Sequence, residues 1–284
     1  METKNPKNDS VDRNQLQKYA EDLAEIYKSE KERRKELEAS KQQLVKYADD
    51  LNQTITDLKT ANQELQESYL DTIHRLVLAA EYKDEDTGDH IIRMSRYSAL
   101  IAEKLGLPSN EVQNILYASP MHDIGKIGIP DNIMMKPGKL TDEEFDIMKT
   151  HTTIGAKILA NSRSEILKLA EQIALSHHEK WNGKGYPQGL AGEKIPLVGR
   201  IVALADVFDA LTTKRPYKDP FPVKVAVDII KKDRGRHFDP DVVDIFLENI
   251  DEIVKIKQEI HLKEGLSLAN VTTRDRDQSE GKNE

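Results

Sequence analysis

Between Pro6 and Gly88 the chain contains neither proline nor glycine. These are the residues that most readily interrupt a helix, so the whole stretch is free to run as one. Leucine recurs at 16, 23, 37, 44, 51, 58 and 65, seven of eight successive heptad positions, with Glu30 the interruption. A sustained seven-residue spacing predicts a coiled-coil seam, because it keeps one apolar stripe facing a partner helix. The residues three further on in each heptad, Tyr19, Ile26, Arg33, Ser40, Tyr47, Thr54, Ala61 and Ser68, are mostly polar or small, so the seam should pack loosely. The segment from Leu16 to Leu23 recurs approximately from Leu44 to Leu51, an offset of 28 residues that preserves the register. Such a stripe needs apolar cover, and the expectation is a parallel homodimer.

Beyond Gly88 the helical signals shorten. Gly106-Leu107-Pro108-Ser109 precedes one helix, Thr141-Asp142-Glu143-Glu144 is a capping box before another, and Ile195-Pro196 precedes an apolar third that reaches Thr212. The helix from about Thr141 is expected to carry His151. No period-two alternation is found, so the expected fold class is all-α. With 284 residues, 38% hydrophobic and 32% charged, the chain holds one ordinary core plus an extended, solvated element. A formal net charge of -8 argues against broad attraction to DNA or an anionic membrane. Phosphate recognition would have to come from local basic residues, for which Lys126, Arg215 and Lys218 are candidates. Met1 to Ser10 has no apolar signal-like region and no 18-residue apolar run occurs, so a soluble, cytoplasmic protein with no membrane contact is expected.

Five of the eight histidines, His90, His122, His151, His177 and His178, lie between positions 90 and 178, and two of these sites are doublets, His122-Asp123 and His177-His178. A lone histidine on an apolar helix face is usually a satisfied core residue. Helical amphipathicity does not generate such doublets, however, and with Asp206 the set reads as a metal site. With no cysteine in the chain, imidazole nitrogen and carboxylate oxygen are the available ligands, suited to Zn, Mn or Fe. His74 and His237 fall outside the pattern and read as surface or packing residues.

The run from His122 to Pro130, then Lys136-Pro137-Gly138-Lys139-Leu140, then His177-His178-Glu179-Lys180-Trp181-Asn182-Gly183-Lys184-Gly185-Tyr186-Pro187 resembles the HD-GYP family. The similarity continues through Ala205-Asp206-Val207-Phe208-Asp209-Ala210-Leu211-Thr212 and Arg215-Pro216-Tyr217-Lys218 to His237-Phe238-Asp239-Pro240. That resemblance implies a helical HD-domain bundle, here preceded by a long N-terminal coiled-coil helix. It also implies a metal-dependent phosphodiesterase of cyclic dinucleotides, chiefly cyclic di-GMP, giving linear pGpG or GMP by attack of a metal-activated hydroxide. The alternatives are 3′,3′-cyclic GMP-AMP as substrate, or a non-catalytic module binding a cyclic dinucleotide or a partner protein. The implied organisation is a disordered segment over 1–14, a coiled-coil dimerisation stalk over 15–74, an HD-GYP catalytic domain over 75–260 and a polar tail over 261–284. An upstream sensory partner would act through the stalk.

By resemblance, His90, His122, Asp123 and Asp206 hold one divalent ion and Asp123, His151, His177 and His178 a second, with Fe or Mn favoured. Asp123 would bridge the two and so counts among the catalytic residues. Some family members place a glutamate four residues before the first ligand histidine, where it helps hold a third ion. Asp86 stands there in this chain, one methylene shorter. Lys126, three residues after Asp123, is placed to contact the scissile phosphate, or else to pair with a ligand carboxylate. Asp209, one turn beyond Asp206, either protonates the leaving group as a catalytic acid or fixes a ligand histidine from behind. Tyr186 is expected to contact substrate, Trp181 to pack, and Arg215 and Lys218 to clamp phosphates.

Overall fold

The computed structural model describes residues 6–81, 88–214 and 219–260. Of the residues singled out above, Asp86, Arg215 and Lys218 lie outside these, as does the tail over 261–284. The described residues are mostly helical, with loops, short 3-10 turns and two isolated bridges, Asn182 with Ala191 and Arg234 with Phe238, but no strand. They divide into two compact units between Tyr69 and Leu70.

The first unit is the leading part of helix α1, which spans Pro6–Glu81. Its first described residue is Pro6. Proline is tolerated in a first helical turn, where its missing N–H has no acceptor to lose, and nothing after it breaks the pattern. Every side chain from Arg13 to Tyr69 is exposed, and the seven heptad leucines are 60–69% exposed. Side-chain hydrogen bonds one turn apart, such as Gln53 Nε2 to Asp57 Oδ1 at 2.8 Å, decorate the helix. Such pairs each contribute only a few tenths of a kcal/mol.

The second unit begins with the last turns of α1, where Val77 and Ala80 are buried. It continues with α2 (Gly88–Lys104), α3 (Ser109–Ala118), a short α4 (Asp131–Met134), α5 (Asp142–Lys149), α6 (His151–Leu159), α7 (Glu165–Ser176), α8 (Leu197–Thr212), α9 (Val223–Lys232) and α10 (Pro240–Glu248), then helical residues over 250–260. Helix α8 is apolar nearly all round and has ten buried residues, as expected of a helix covered on every side. It packs against α2, α7, α9 and α10. Phe208 of α8 meets Tyr97 of α2 and Phe246 of α10 edge-on, with ring centroids 5.6 and 5.1 Å apart. Such contacts add to the burial of large rings. Asp206 projects from this central helix, so one candidate ligand is anchored in the stiffest part of the core.

The capping box forms as expected: the Glu144 amide donates to Thr141 Oγ1 at 3.3 Å, and the Thr141 amide to the Glu144 carboxylate at 2.8 Å. The helix it starts does not carry His151, however. At Thr150 both the amide and the hydroxyl bond back to the Ile147 carbonyl, at 3.0 and 2.6 Å, which closes α5. The Met148 carbonyl bonds the His151 ring instead, at 2.7 Å, and α6 starts at His151 itself.

Between α3 and α4 the chain makes two 3-10 turns, Ser119–Met121 and Ile124–Gly128, with His122 and Asp123 between them. The second turn lies directly on α6. A Cβ on Gly125 would overlap the His151 carbonyl oxygen and the Gly155 amide nitrogen, so only glycine lets these two backbones approach this closely. The Gly125 contact sets the spacing between Asp123 and His151. We predict that Gly125→Ala lowers unfolding stability by about 1–3 kcal/mol, read as a shift in the urea midpoint at constant slope.

Candidate metal centre

Seven of the residues singled out from sequence converge in two groups. Asp123, His151, His177 and His178 form one, and His90, His122 and Asp206 the other, with the donor atoms of each group within 4.8 Å of one another. They arrive from five places: α2 contributes His90, the link between the 3-10 turns His122 and Asp123, the start of α6 His151, the turn after α7 the histidine pair, and α8 Asp206. His177 closes α7, its amide donating to the Ile173 carbonyl at 2.9 Å, so the doublet sits at a helix end.

The carboxylate of Asp123 links the groups. Its Oδ1 lies 3.2 Å from His151 Nε2 and 3.4 Å from His177 Nε2, while Oδ2 lies 3.1 Å from His122 Nε2 and 2.8 Å from Lys126 Nζ. His90 Nε2 is 3.5 Å from Asp206 Oδ1. Asp123 Oδ1, His151 Nε2 and His177 Nε2 are buried and crowded together, yet none makes a hydrogen bond in the protein. Buried polar atoms are rarely left so, and donors aimed at one another without hydrogen-bond geometry are what a cation would satisfy. The residues therefore fit a divalent metal centre.

The opposite ring nitrogens of four histidines are each held from behind. Nδ1 of His122 lies 3.1 Å from the Ser119 carbonyl, that of His151 2.7 Å from the Met148 carbonyl, and that of His177 3.0 Å from the Ile173 carbonyl. Nδ1 of His90 lies 2.8 Å from Asp209 Oδ2. Carbonyl partners make Nδ1 the protonated nitrogen and turn a bare Nε2 toward the centre, as ligation requires. Asp209 is fully buried behind His90, where Arg93 also binds it through two nitrogens at 2.7 and 2.9 Å. The carboxylate faces His90 and Arg93, which hold it strongly ionised against its burial.

Charge follows the same arrangement. Burial pushes the Asp123 carboxyl up, but Lys126 and His122 overcome this and hold it well below the usual carboxylate range. Burial, reinforced by His177, keeps His178 neutral to well below its ordinary pKa. Burial likewise lowers His177, against the pull of Asp123. At His90 burial is outweighed by Asp209 and Asp206, and its pKa is raised. Neutral imidazoles and ionised carboxylates are the protonation states metal ligands need; the shifts at Asp123, His177 and His178 run that way, and the rise at His90 runs against it.

Lys126 pairs with Asp123, so in this structure it occupies the ion-pair role offered for it from sequence. Tyr186 stacks on His178, ring centroids 4.7 Å apart and planes at 30°, which sets it at the edge of the centre. Trp181 packs under the Arg200 guanidinium at 5.8 Å. His237 stacks flat on Phe238, in keeping with a packing residue.

Two residues that matter to the site were not singled out. Arg93 follows His90 by three residues, the helical spacing that places both on Asp209. Glu179, next to the histidine doublet, is buried, and its carboxylate accepts three backbone N–H groups, from Gln188, Gly189 and Leu190, at 2.7, 3.1 and 3.0 Å. It pins the loop carrying Tyr186. At the loop's start a Cβ on Gly185 would overlap the Glu179 and Lys180 backbone. A charged residue inside an otherwise loop-like motif was the available signal for Glu179.

Comparison with known proteins places this geometry. The chain matches the family model described as "HD domain" over residues 76–242. It is 47% identical over 191 residues to a cyclic di-GMP phosphodiesterase of Thermotoga maritima, covering 67% of this chain and 52% of that protein. It is 43% identical over 192 residues to the 3'3'-cGAMP-specific phosphodiesterase 2 of Vibrio cholerae, covering 68% of this chain and 37% of that protein. The chain thus spans about half, or less, of the length of these curated relatives. Among solved structures, a cyclic GMP-AMP specific phosphodiesterase of V. cholerae superposes with a TM-score of 0.51 at 21% identity, covering 68% of this chain and 53% of that one, a likeness of fold. The chain belongs to the HD domain family, in keeping with the HD-GYP resemblance of its motifs.

Proposed function

We propose that the protein is a metal-dependent phosphodiesterase that hydrolyses cyclic di-GMP to linear pGpG or GMP. The observation that carries this reading is the Asp123 carboxylate, with one oxygen on each of two groups of buried, pre-oriented donors. Bound divalent ions, for which Fe or Mn is favoured, would supply Lewis acidity, lowering the pKa of water and taking up charge on the phosphate. We assign His90, His122, Asp123 and Asp206 to one ion and Asp123, His151, His177 and His178 to the other. Asp209 holds His90 in the ligating tautomer, and Arg93 holds Asp209 ionised. Lys126 lies within reach of the phosphate once Asp123 is engaged by metal, and Tyr186 flanks the centre for substrate contact. Arg215 and Lys218 remain the proposed phosphate clamps and Asp86 the candidate third-ion ligand. The named activities of the relatives support both cyclic di-GMP and 3′,3′-cyclic GMP-AMP as substrates.

We further propose that the stalk over 15–74 forms a parallel homodimer through its leucine stripe and relays the state of an upstream sensory partner. The exposure of all seven leucines supports this, since a stripe of that size is stabilised by apolar cover. No described helix is long and apolar enough to cross a membrane.

Three outcomes are expected. Protein loaded anaerobically with Fe(II) or Mn(II) cleaves cyclic di-GMP, and Asp123→Ala loses metal from both groups. Its turnover falls by more than the ~10–100-fold typical of losing a ligand-orienting partner. Full metal occupancy in that variant, measured by elemental analysis, would refute the bridge. Asp209→Ala, by contrast, weakens metal affinity by about 10–100-fold, read by competition with a chelator. Finally, Leu44→Pro combined with Leu51→Pro lowers both dimer content in sedimentation and turnover. A monomer of unchanged activity would remove any role of the stalk in catalysis.

A further inference from the structure

Helix α5 buries none of its residues, although it carries Phe145 and Ile147, which are 46% and 42% exposed. An eight-residue helix that leaves its apolar side chains in water is kept in place by something other than core packing. Its fixed points are the capping box at its start and the Thr150 turn leading into His151 at its end. The Phe145 ring meets Tyr186 edge-on, centroids 6.2 Å apart, and Tyr186 stacks in turn on His178 of the metal centre. The Lys149 ammonium stands 5.1 Å from the Phe145 ring centre and 6.0 Å from that of Tyr186. Among the described residues its charge partner is Asp146, whose side chain is 71% exposed. An exposed pair of that kind contributes little and gives way easily.

Two aromatic rings and one cation therefore stand in sequence outward from a ligand histidine. With the scissile phosphate at the centre, a base is a part of a cyclic dinucleotide that can extend across Tyr186 toward α5. We propose that Phe145 and Lys149 form a base-recognition shelf that selects guanine over adenine, an inference that rests on the phosphodiesterase reading above. Phe145 offers a flat apolar surface for the purine, and the long lysine stem lets the ammonium swing from the ring face to the edge of the base. Stacking on an aromatic side chain is indifferent to base identity. The edge is not: guanine presents two acceptors, N7 and O6, to a cationic donor, whereas adenine replaces O6 with an N6 amino donor that repels it. Lys149 thus confers the preference and Phe145 the affinity.

The test compares kcat/KM for cyclic di-GMP and cyclic di-AMP in the metal-loaded full chain, for the parent protein, Lys149→Met, Lys149→Arg and Phe145→Ala. Bis(p-nitrophenyl) phosphate, which has no base, is assayed with the parent alone. The proposal expects Lys149→Met to lower the cyclic di-GMP to cyclic di-AMP ratio at least about fivefold, and Lys149→Arg, which keeps a donor fork, to preserve it. Phe145→Ala should raise KM for both by about 5–100-fold with the ratio little changed. Equal losses on both substrates in Lys149→Met would mean that the lysine serves a phosphate or the fold, and the shelf would fall while the phosphodiesterase stood. Turnover of bis(p-nitrophenyl) phosphate with no cleavage of any cyclic dinucleotide by the parent protein would overturn the substrate class and the shelf together.

Discussion

The arrangement depends on one ionised carboxylate in a buried place. Asp123 sits among His122, His151 and His177, with the Lys126 ammonium against it. Desolvation alone would drive such a carboxyl to its neutral form, and the surrounding charges reverse that outcome. A buried charge of this kind is costly unless it is paired on several sides. The 3-10 turns, the contact of Gly125 on α6 and the carbonyls behind each histidine all meet that requirement by fixing where the compensating groups stand.

Around this carboxylate the fold separates rigid from exposed parts. The ligands arise at helix starts and ends or from the covered helix α8, where backbone direction is set by packing. Asp209, Arg93 and Glu179 are buried as well, and they bond the His90 ring, the Asp209 carboxylate and the loop that carries Tyr186. Toward the open side stand Asp206 and His178, partly accessible, then Tyr186 and helix α5. Under the proposed function the two suit different tasks: donors must not move, while a surface that contacts substrate must stay reachable.

Helix α1 obeys a different constraint. Its stripe of leucines is ordered by intrahelical hydrogen bonds and helix-favouring residues rather than by burial, and up to Tyr69 its side chains are exposed. Long isolated helices are marginal in water and gain their stability from apolar contact. That requirement is the physical basis of the proposed pairing of the stripe with a partner helix, while the second unit has its own core.

Much was legible in the amino-acid order alone. The absence of proline and glycine before Gly88 dictated an uninterrupted helix, and it begins even earlier than the heptads suggested. The doublets His122-Asp123 and His177-His178 pointed to metal chemistry, because few other uses need donors packed so densely, and the fold gathers them into two groups that could hold an ion. The capping box at Thr141 announced α5, since such a signal acts within one turn and needs no tertiary help. Local order did not determine that α5 stops at Thr150, so that His151 opens a new helix, because the competing bonds to Ile147 and to the His151 ring are decided by where α6 lies. Nor could it show what the Asp209 carboxylate faces: Arg93 and His90 meet it across more than a hundred residues of chain. Glu179 passed unnoticed for a related reason, its three acceptor contacts existing only once the loop folds back over it. What the sequence by itself determined is which donors are present and which segments are helical, because these follow from residue chemistry and near-neighbour geometry. What only the tertiary structure decided is which donor faces which, because a side chain's role at a buried centre is set by distances between segments that the order of residues does not contain.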